Sequence, residues 1–190
     1  GVVDFYKAAK KREIKPIIGC EVYVAKRTRF DKVHELDGEN RHLVLLCENE
    51  TGYRNLAALV SKAWVEGFYN KPRVDLDLLQ EYHEGLIALS ACLAGEIPRA
   101  LSRGDYPEAK AAALRYREIF GEGNFFLELQ DHGLPEQKRI NPQIIRLSRE
   151  TGIPLVCTND CHYIAPEDSK MHHVLICIQT GRTVEDEGTL

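Results

Sequence analysis

The sequence predicts an α/β domain in which strands and helices alternate along the chain. Apolar runs of strand length, rich in Val, Ile and Leu, are separated by segments of about ten to twenty residues with helical spacing. Such alternation is typical of βα units and a mainly parallel sheet, either open or closed into a barrel. The chain has 190 residues, of which 44% are hydrophobic, and this is enough for one domain with a substantial core.

The first half of the chain carries signals for two strands and two long helices. The predicted elements, in order, are a helix over 2–11, a strand over 17–24, a charged surface loop over 25–41, a strand over 42–47 and a helix from about 50 to 66. Pro16 opens the first strand, which is rich in β-branched residues. The long helix is predicted to begin after Asn49 or Thr51, residues that cap helices, and to end at Gly67.

The second half repeats the alternation three times. The predicted elements are a short helical piece over 73–82, strands over 86–89, 125–129 and 153–157, two helices within 96–120, and helices over 135–150 and 167–179. Asp75 is a candidate cap of the short piece, and Gly104 with Asp105 breaks the pair of helices. Pro135 is suited to the first turn of its helix, and Gly152 to the end of it.

The charge balance of the chain is mildly acidic. Twenty-five Lys and Arg residues stand against 29 Asp and Glu, which gives a net charge of −4. This excludes a generally basic surface, so any nucleic acid must be bound by a local patch or by another domain. Cations and aromatics occur together at 26–30 and 68–73, as on single-strand binding surfaces, although ordinary solvated loops are the simpler interpretation. No apolar run reaches the ~20 residues of a membrane span, and no membrane partner is predicted.

The six cysteines lack the paired spacing of secreted, disulfide-stabilised domains. Four of them lie inside apolar runs: Cys20, Cys47, Cys157 and Cys177. This pattern predicts reduced, buried thiols and a cytoplasmic protein. The chain begins at Gly1 without an initiator Met, which indicates a piece of a longer protein.

Side chains that could bind a metal lie in or just after several predicted strands. Glu21 is the one charge inside an otherwise apolar strand, and the residues that follow later strands are Cys92, Asp131, His132, Asp160 and His162. Functional groups gather at the carboxyl ends of strands in parallel α/β folds. Carboxylate, imidazole and thiolate donors together suit Zn²⁺ or a related divalent ion. Glycine-rich phosphate loops and the G-x-S-x-G elbow are absent, which argues against nucleotide binding by those routes and against serine hydrolysis.

Each of these residues also has a structural interpretation. Glu21 could form a salt bridge, and Cys92 could fill space in the core. His42, at the start of its strand, could bond only to backbone, and His132 could cap the helix that follows it. The pair Asp160 and His162 is the strongest local signal, because side chains two apart in an extended segment point to the same side.

Several long blocks of the sequence resemble a known family. They include KPIIGCEVYV at 15–24, EGLIALSACLAGEIPRAL at 84–101, FFLELQDHGLPEQKRIN at 125–141 and TNDCHY at 158–163. These blocks are similar to the polymerase-and-histidinol-phosphatase (PHP) domain of bacterial DNA polymerase III alpha subunits, and the similarity runs across essentially the whole chain. The resemblance implies that residues 1–190 form a single PHP domain fragment of a larger polymerase.

The resemblance also implies a fold and a metal site. The expected fold is a distorted (β/α)7 barrel, incomplete here because the first βα units are missing. The family holds up to three divalent metals, Zn²⁺ or Mn²⁺, and the positions that match its ligands are Glu21, His42, Cys92, Asp160 and His162. The family's other ligands precede Gly1, so this piece is expected to bind fewer ions or none. His132 matches no ligand and is retained as a residue that supports one. His42 would lie at the wrong end of its strand unless that strand is antiparallel or its predicted boundary is wrong.

The function implied by the resemblance is that of a replicative DNA-directed DNA polymerase. The PHP domain itself is expected to act as a metal-dependent 3′–5′ exonuclease, with Glu21, Asp160 and His162 in catalytic roles. The expected partners are primer–template DNA, a sliding clamp and a separate proofreading subunit. Two alternatives are a structural scaffold with a non-catalytic metal site and a stand-alone PHP phosphoesterase.

Overall fold

The structure is a computed structural model that describes residues 1–186. Its helices are α1 (Val2–Lys11), α2 (His34–Asp37), α3 (Glu50–Val65), α4 (Leu76–Glu81), α5 (Glu96–Ser102), α6 (Tyr106–Phe120), α7 (Pro135–Thr151) and α8 (Ser169–Thr180). Its strands are β1 (Gly19–Val24), β2 (Arg41–Cys47), β3 (Arg73–Val74), β4 (Leu86–Leu89), β5 (Phe125–Leu129) and β6 (Leu155–Cys157). Gly1–Thr158 is one compact unit, and the residues from Asn159 onward form a second.

The local signals in the sequence correctly predicted where most elements begin and end, but the helical piece predicted over 73–82 is wrong at its start, because Arg73–Val74 pair with β1 as the strand β3 and the helix begins at Leu76. The Asn49 side chain accepts from the Gly52 N–H at the start of α3, and Asp75 accepts from the Leu78 N–H at the start of α4. The predicted break at Gly104 separates α5 from α6, and Asp105 caps α6. These caps satisfy N–H groups that would otherwise lack a partner in the first turn.

The six strands form one mixed sheet in the order β3-β1-β2-β4-β5-β6. β2 is antiparallel to both of its neighbours, whereas the other three pairings are parallel. The α/β class is therefore confirmed, and the architecture is compatible with part of a PHP-type barrel. The expectation of a mainly parallel sheet needs correction at β2. Because β2 is reversed, its first residues lie at the edge where the parallel strands end, and His42 is at the correct end for a shared site.

The helices α3, α5, α6 and α7 pack against the sheet and bury one of its faces. Apolar side chains at alternate strand positions fill this core, among them Val22, Val24, Leu43, Leu45, Ala88, Phe125 and Leu127. Since strand side chains alternate between faces, Glu21 and Tyr23 of β1 and His42 of β2 point to the other face.

The segment 25–41 was predicted to be a charged surface loop, and this is only partly correct. It contains α2, and Asp37 in that helix is buried. The buried Arg73 holds the segment in place, because its guanidinium donates to the carbonyls of Arg29 and Asp31 at 3.0 and 2.8 Å. An arginine from outside the segment thus supplies the donors for its backbone.

The prediction of buried cysteines also needs correction. Cys177 is buried and Cys20 and Cys47 are half-buried, but Cys157 is exposed. Cys157 lies on β6, the last strand in the order of the sheet that the described residues form. All six cysteines are free thiols. Within residues 1–186, no helix has the length and apolar character needed to cross a bilayer.

Candidate metal centre

Three side chains from three separate parts of the chain converge on the face of the sheet opposite the helices. The donor atoms of Glu21, His42 and Cys92 all lie within 4.8 Å of one another. His42 Nδ1 is 3.0 Å from Glu21 Oε1 and 3.8 Å from Cys92 Sγ. It is the only group of three or more metal-binding side chains within the described residues 1–186.

The antiparallel pairing of β1 and β2 brings Glu21 to His42. Tyr23 pairs directly with His42, and Glu21 pairs with Val44, so Glu21 and His42 are diagonal neighbours on the same face. The Tyr23 ring packs edge-on against the imidazole with 5.1 Å between centroids. The Glu21 side chain is 38% exposed and the His42 side chain 24%, so the group is open to solvent.

Cys92 lies in the loop that connects β4 to α5. The backbone of this loop is fixed to β2, because the His42 N–H donates to the Ala94 carbonyl at 3.1 Å. The loop is also tight: a Cβ on Gly95 would lie 2.2 Å from the Ser90 carbonyl oxygen. Ala91 has a φ of +63°, in the left-handed region that L-residues with a Cβ rarely adopt. The chain is therefore strained at the residue just before Cys92.

The other end of this loop is held by the buried carboxylate of Glu96. Its side chain is 6% exposed and accepts hydrogen bonds from Arg41, from Arg115 at 2.8 Å and from the Tyr116 hydroxyl at 2.9 Å. Burial and the nearby Glu96 charge raise the pKa of Tyr116 well above its usual value, which keeps this hydroxyl a donor. Arg41 precedes His42, so Glu96 connects the start of β2 to α5.

The donor set fits a divalent metal ion. Two ligands on a tetrahedral Zn²⁺ lie about 3.3–3.8 Å apart, given bonds of about 2.0–2.3 Å. The separations of 3.0 and 3.8 Å around His42 Nδ1 are close to these values. Hydrogen bonding to Cys92 and to Glu21 raises the pKa of His42 to about 9. A site that stabilises positive charge between a carboxylate and a sulfur is electrostatically suited to a cation.

Asp160 and His162 lie in the second unit of the chain and are described there by themselves. His162 Nδ1 is 2.8 Å from the Asp160 carbonyl oxygen. A carbonyl can only accept, so Nδ1 carries the hydrogen and Nε2 has the lone pair that a metal would need. Asp160 has a φ of +45°, which places a second predicted ligand in strained backbone.

His132 takes part in a local contact with α7. Its backbone N–H donates to Gln137 Oε1 at 2.8 Å, and its Nδ1 is 3.0 Å from Gln137 Nε2. It is not in the group of Glu21, His42 and Cys92. The idea that His132 caps α7 with its side chain is wrong, because the cap position is Leu134 and no side chain caps it.

Comparison with known proteins identifies the family. The family described as "PHP domain" matches residues 1–132, more than half of the chain and the part that contains Glu21, His42 and Cys92. The chain belongs to the PHP domain family. Asp160 and His162 lie outside that match.

Relatives of this PHP domain are bacterial proteins named DNA polymerase III subunit alpha. That of Treponema pallidum is 49% identical over all of this chain and 16% of its own length. Those of Deinococcus radiodurans and Thermus aquaticus are 48% and 47% identical over 98% of this chain, and 14% and 15% of their own lengths. The PHP domain described here therefore spans about a sixth of the relatives that it matches.

Sequence reasoning missed three residues close to the centre of this PHP domain: Tyr23, Lys71 and Glu96. Tyr23 could have been found, because it is two residues from Glu21 on the same strand face. Glu96 resembles an ordinary acidic residue in the first turn of a helix, and nothing local indicates that it is buried. Lys71 was noted only as part of a mixed basic and aromatic stretch.

Proposed function

We propose that this PHP domain is a module of a replicative DNA polymerase and that it hydrolyses phosphodiester bonds at 3′ ends of DNA. The names of the relatives support the first part. The convergence of Glu21, His42 and Cys92, three donors of different chemical types within 4.8 Å, supports the second. The protein would then act in the cytoplasm as a DNA-directed polymerase, together with primer–template DNA, a sliding clamp and a proofreading subunit.

The proposed ligands are Glu21, His42, Cys92, Asp160 and His162. A thiolate favours soft ions, so Zn²⁺ is the first choice and Mn²⁺ the second. A divalent ion in such a site lowers the pKa of a bound water and stabilises negative charge on a phosphate. Five ligands fall short of a three-metal set, so we expect these five residues to hold fewer than three ions.

The residues of the chain would prepare the site in three ways. Glu21 Oε1 faces His42 Nδ1 and fixes the orientation of the ring. The Tyr23 ring packs against one side of the same imidazole and restricts its movement. The backbone carbonyl of Asp160 fixes the tautomer of His162. Glu21, Asp160 and His162 are the proposed catalytic residues. Positioning of this kind contributes to catalysis because the entropy cost of ordering the groups is met by folding, before the reaction starts.

The test is Glu21→Gln in the full-length protein. We expect the affinity for Zn²⁺ to fall more than about a hundredfold, because loss of a residue that merely supports a ligand already costs about 10–100-fold. Elemental analysis after dialysis measures the bound metal, and digestion of a mismatched primer end measures hydrolysis. Primer extension should be retained, and Asp160→Asn should have the same effect as Glu21→Gln.

The matched control is Glu50→Gln, which changes an exposed carboxylate on α3. It should leave metal content, digestion and extension at wild-type values. Full metal content in Glu21→Gln would refute the ligand assignment. Metal bound by the wild type without any digestion of the primer end would favour the scaffold role instead.

A further inference from the structure

The cations of the two basic and aromatic stretches have very different surroundings. Arg29 pairs with Glu66 at 2.6 Å and with Asp75 at 3.1 Å. Arg27 pairs with Asp37 at 2.6 Å, and Arg73 is buried among backbone carbonyls. Three arginines that could have met nucleic acid are thus engaged by carboxylates or carbonyls of the protein, although the Arg27 side chain is still 42% exposed. Most of the positive charge in these stretches is not available to a ligand.

The lysines Lys26 and Lys71 are different, because both are exposed and neither has a carboxylate partner among residues 1–186; of the two, Lys71 is the one that lies over an aromatic ring. Its ammonium lies over the Tyr23 ring, 5.6 Å from the centroid. Its carbonyl accepts from the Tyr69 N–H at 3.0 Å, which fixes the backbone at this point. A cation over an aromatic face is weakly held, by about 0.5–1 kcal/mol at an exposed site, so it can still move to an anion.

Tyr23 connects Lys71 to the metal centre. Lys71 lies just before β3, which is parallel to β1 and has Arg73 opposite Tyr23. The Tyr23 ring packs against the His42 ring, with 5.1 Å between centroids, and its centroid is 5.6 Å from the Lys71 ammonium.

We infer that Lys71, supported by Tyr23, is the phosphate-binding residue of this metal centre and that its ligand is a phosphodiester strand. The inference rests on the proposed function. The chain carries a net charge of −4, and the centre itself presents a carboxylate and a thiol, so an approaching polyanion needs a local cation. Lys71 supplies it, and Tyr23 is the positioning residue that holds the ammonium over a ring in contact with His42.

The experiment is equilibrium binding of a 5′-labelled single-stranded dT6 oligonucleotide to the full-length protein, measured by fluorescence anisotropy over a salt series with Zn²⁺ present. We expect Lys71→Ala to weaken binding roughly fivefold to tenfold and to lower the slope of log K against log salt by about 0.7, the value for one phosphate contact on a single strand. Lys71→Arg should restore both. Because Lys71 is exposed, the thermal stability should not change.

The matched control is Lys10→Ala, an exposed lysine on α1, which leads into the opposite end of β1. It should bind like the wild type. An unchanged salt slope in Lys71→Ala would overturn the inference. It would also be overturned if Lys71→Ala weakened the binding of inorganic phosphate, measured by competition, but left the affinity for dT6 unchanged. Because the experiment measures binding, a lower affinity of Lys71→Ala for dT6 would support the inference even if the wild type did not digest DNA. A wild type that does not digest DNA would refute only the proposed hydrolysis.

Discussion

Glu21 and Glu96 bond to consecutive residues of one strand, yet their surroundings are opposite. Glu21 meets the side chain of His42 and is 38% exposed. Glu96 meets the side chain of Arg41, is 6% exposed and accepts from three donors. Neighbouring strand residues point to opposite faces, so one carboxylate lies on the open face and the other lies among the helices.

The difference separates a residue that is ready to bind a ligand from a residue that holds the fold. A buried carboxylate is tolerated only when charged partners and hydrogen bonds replace its water, and Glu96 has both. Glu21 keeps contact with water and faces an imidazole and a thiol, groups that share a metal with a carboxylate in many proteins. Exposure beside other donors is therefore the better sign of function here, and burial with three donors the better sign of structure.

The largest expected effect on stability is that of Glu96→Gln. Loss of the charge leaves Arg41 and Arg115 without their carboxylate, and breaking a buried pair costs about 3 kcal/mol of unfolding free energy. Urea unfolding in EDTA measures this value. Glu21→Gln under the same conditions should stay within about 0.5 kcal/mol of the wild type, because the site is open to water.

The control for Glu96→Gln is Glu108→Gln, which removes one partner of the exposed pair with Arg103. Its effect should also be within about 0.5 kcal/mol. Equal losses in Glu96→Gln and Glu21→Gln would break the contrast between the two carboxylates. They would mean that Glu21 is as much a part of the fold as Glu96.

Local signals in the sequence were sufficient for the elements and for part of the site. Asn49, Asp75 and Asp105 are caps whose partners lie three residues away, so each could be identified from a short window. Glu21 was noticed because a single charge in an apolar strand is unusual. The PHP resemblance then added His42, for which the residues alone had favoured a backbone contact.

Other features depend on contacts between residues far apart in sequence and could not be predicted locally. Arg73 finds its carbonyl partners more than forty residues away, at Arg29 and Asp31. Glu96 finds Arg41 at a separation of 55 residues. The reversed direction of β2 is likewise set by pairing, since an apolar run has the same pattern in both directions. Charge networks and strand direction were therefore learned only from the structure.

Acid titration sharpens the comparison with a third carboxylate, Asp37. Hydrogen bonding to Arg27, with help from the Val33 N–H, lowers the pKa of Asp37 from 3.8 to about 2. A pKa that is lower in the folded state gives stability that is present above about pH 4 and is lost as the pH falls toward 2. Asp37→Asn should therefore be less stable than the wild type at pH 7, and the two should converge near pH 2.

Unfolding free energies at pH 7, 4 and 3 measure this convergence. Asp4→Asn on α1, which removes an exposed carboxylate, is the control variant at the same three pH values. A constant gap between Asp37→Asn and the wild type from pH 7 to pH 3 would contradict the idea that Arg27 stabilises the ionised carboxylate.

The smallest expected effect concerns the loop between β4 and α5, which contains Cys92 of the metal centre and ends at the buried Glu96. Ala91 lies between β4 and Cys92 with a φ of +63°, and the loop is held at its far end by Glu96. Glycine adopts this conformation at little cost, which offsets the loss of the buried Ala91 methyl, so Ala91→Gly should stay within about 0.5 kcal/mol of the wild type. Ala113→Gly, in the middle of α6, should instead destabilise it by about 1 kcal/mol or more. If thermal unfolding shows that Ala91→Gly loses as much stability as Ala113→Gly, the backbone at Ala91 is not strained. Glu96 would then hold the loop that contains Cys92 without imposing strain on it.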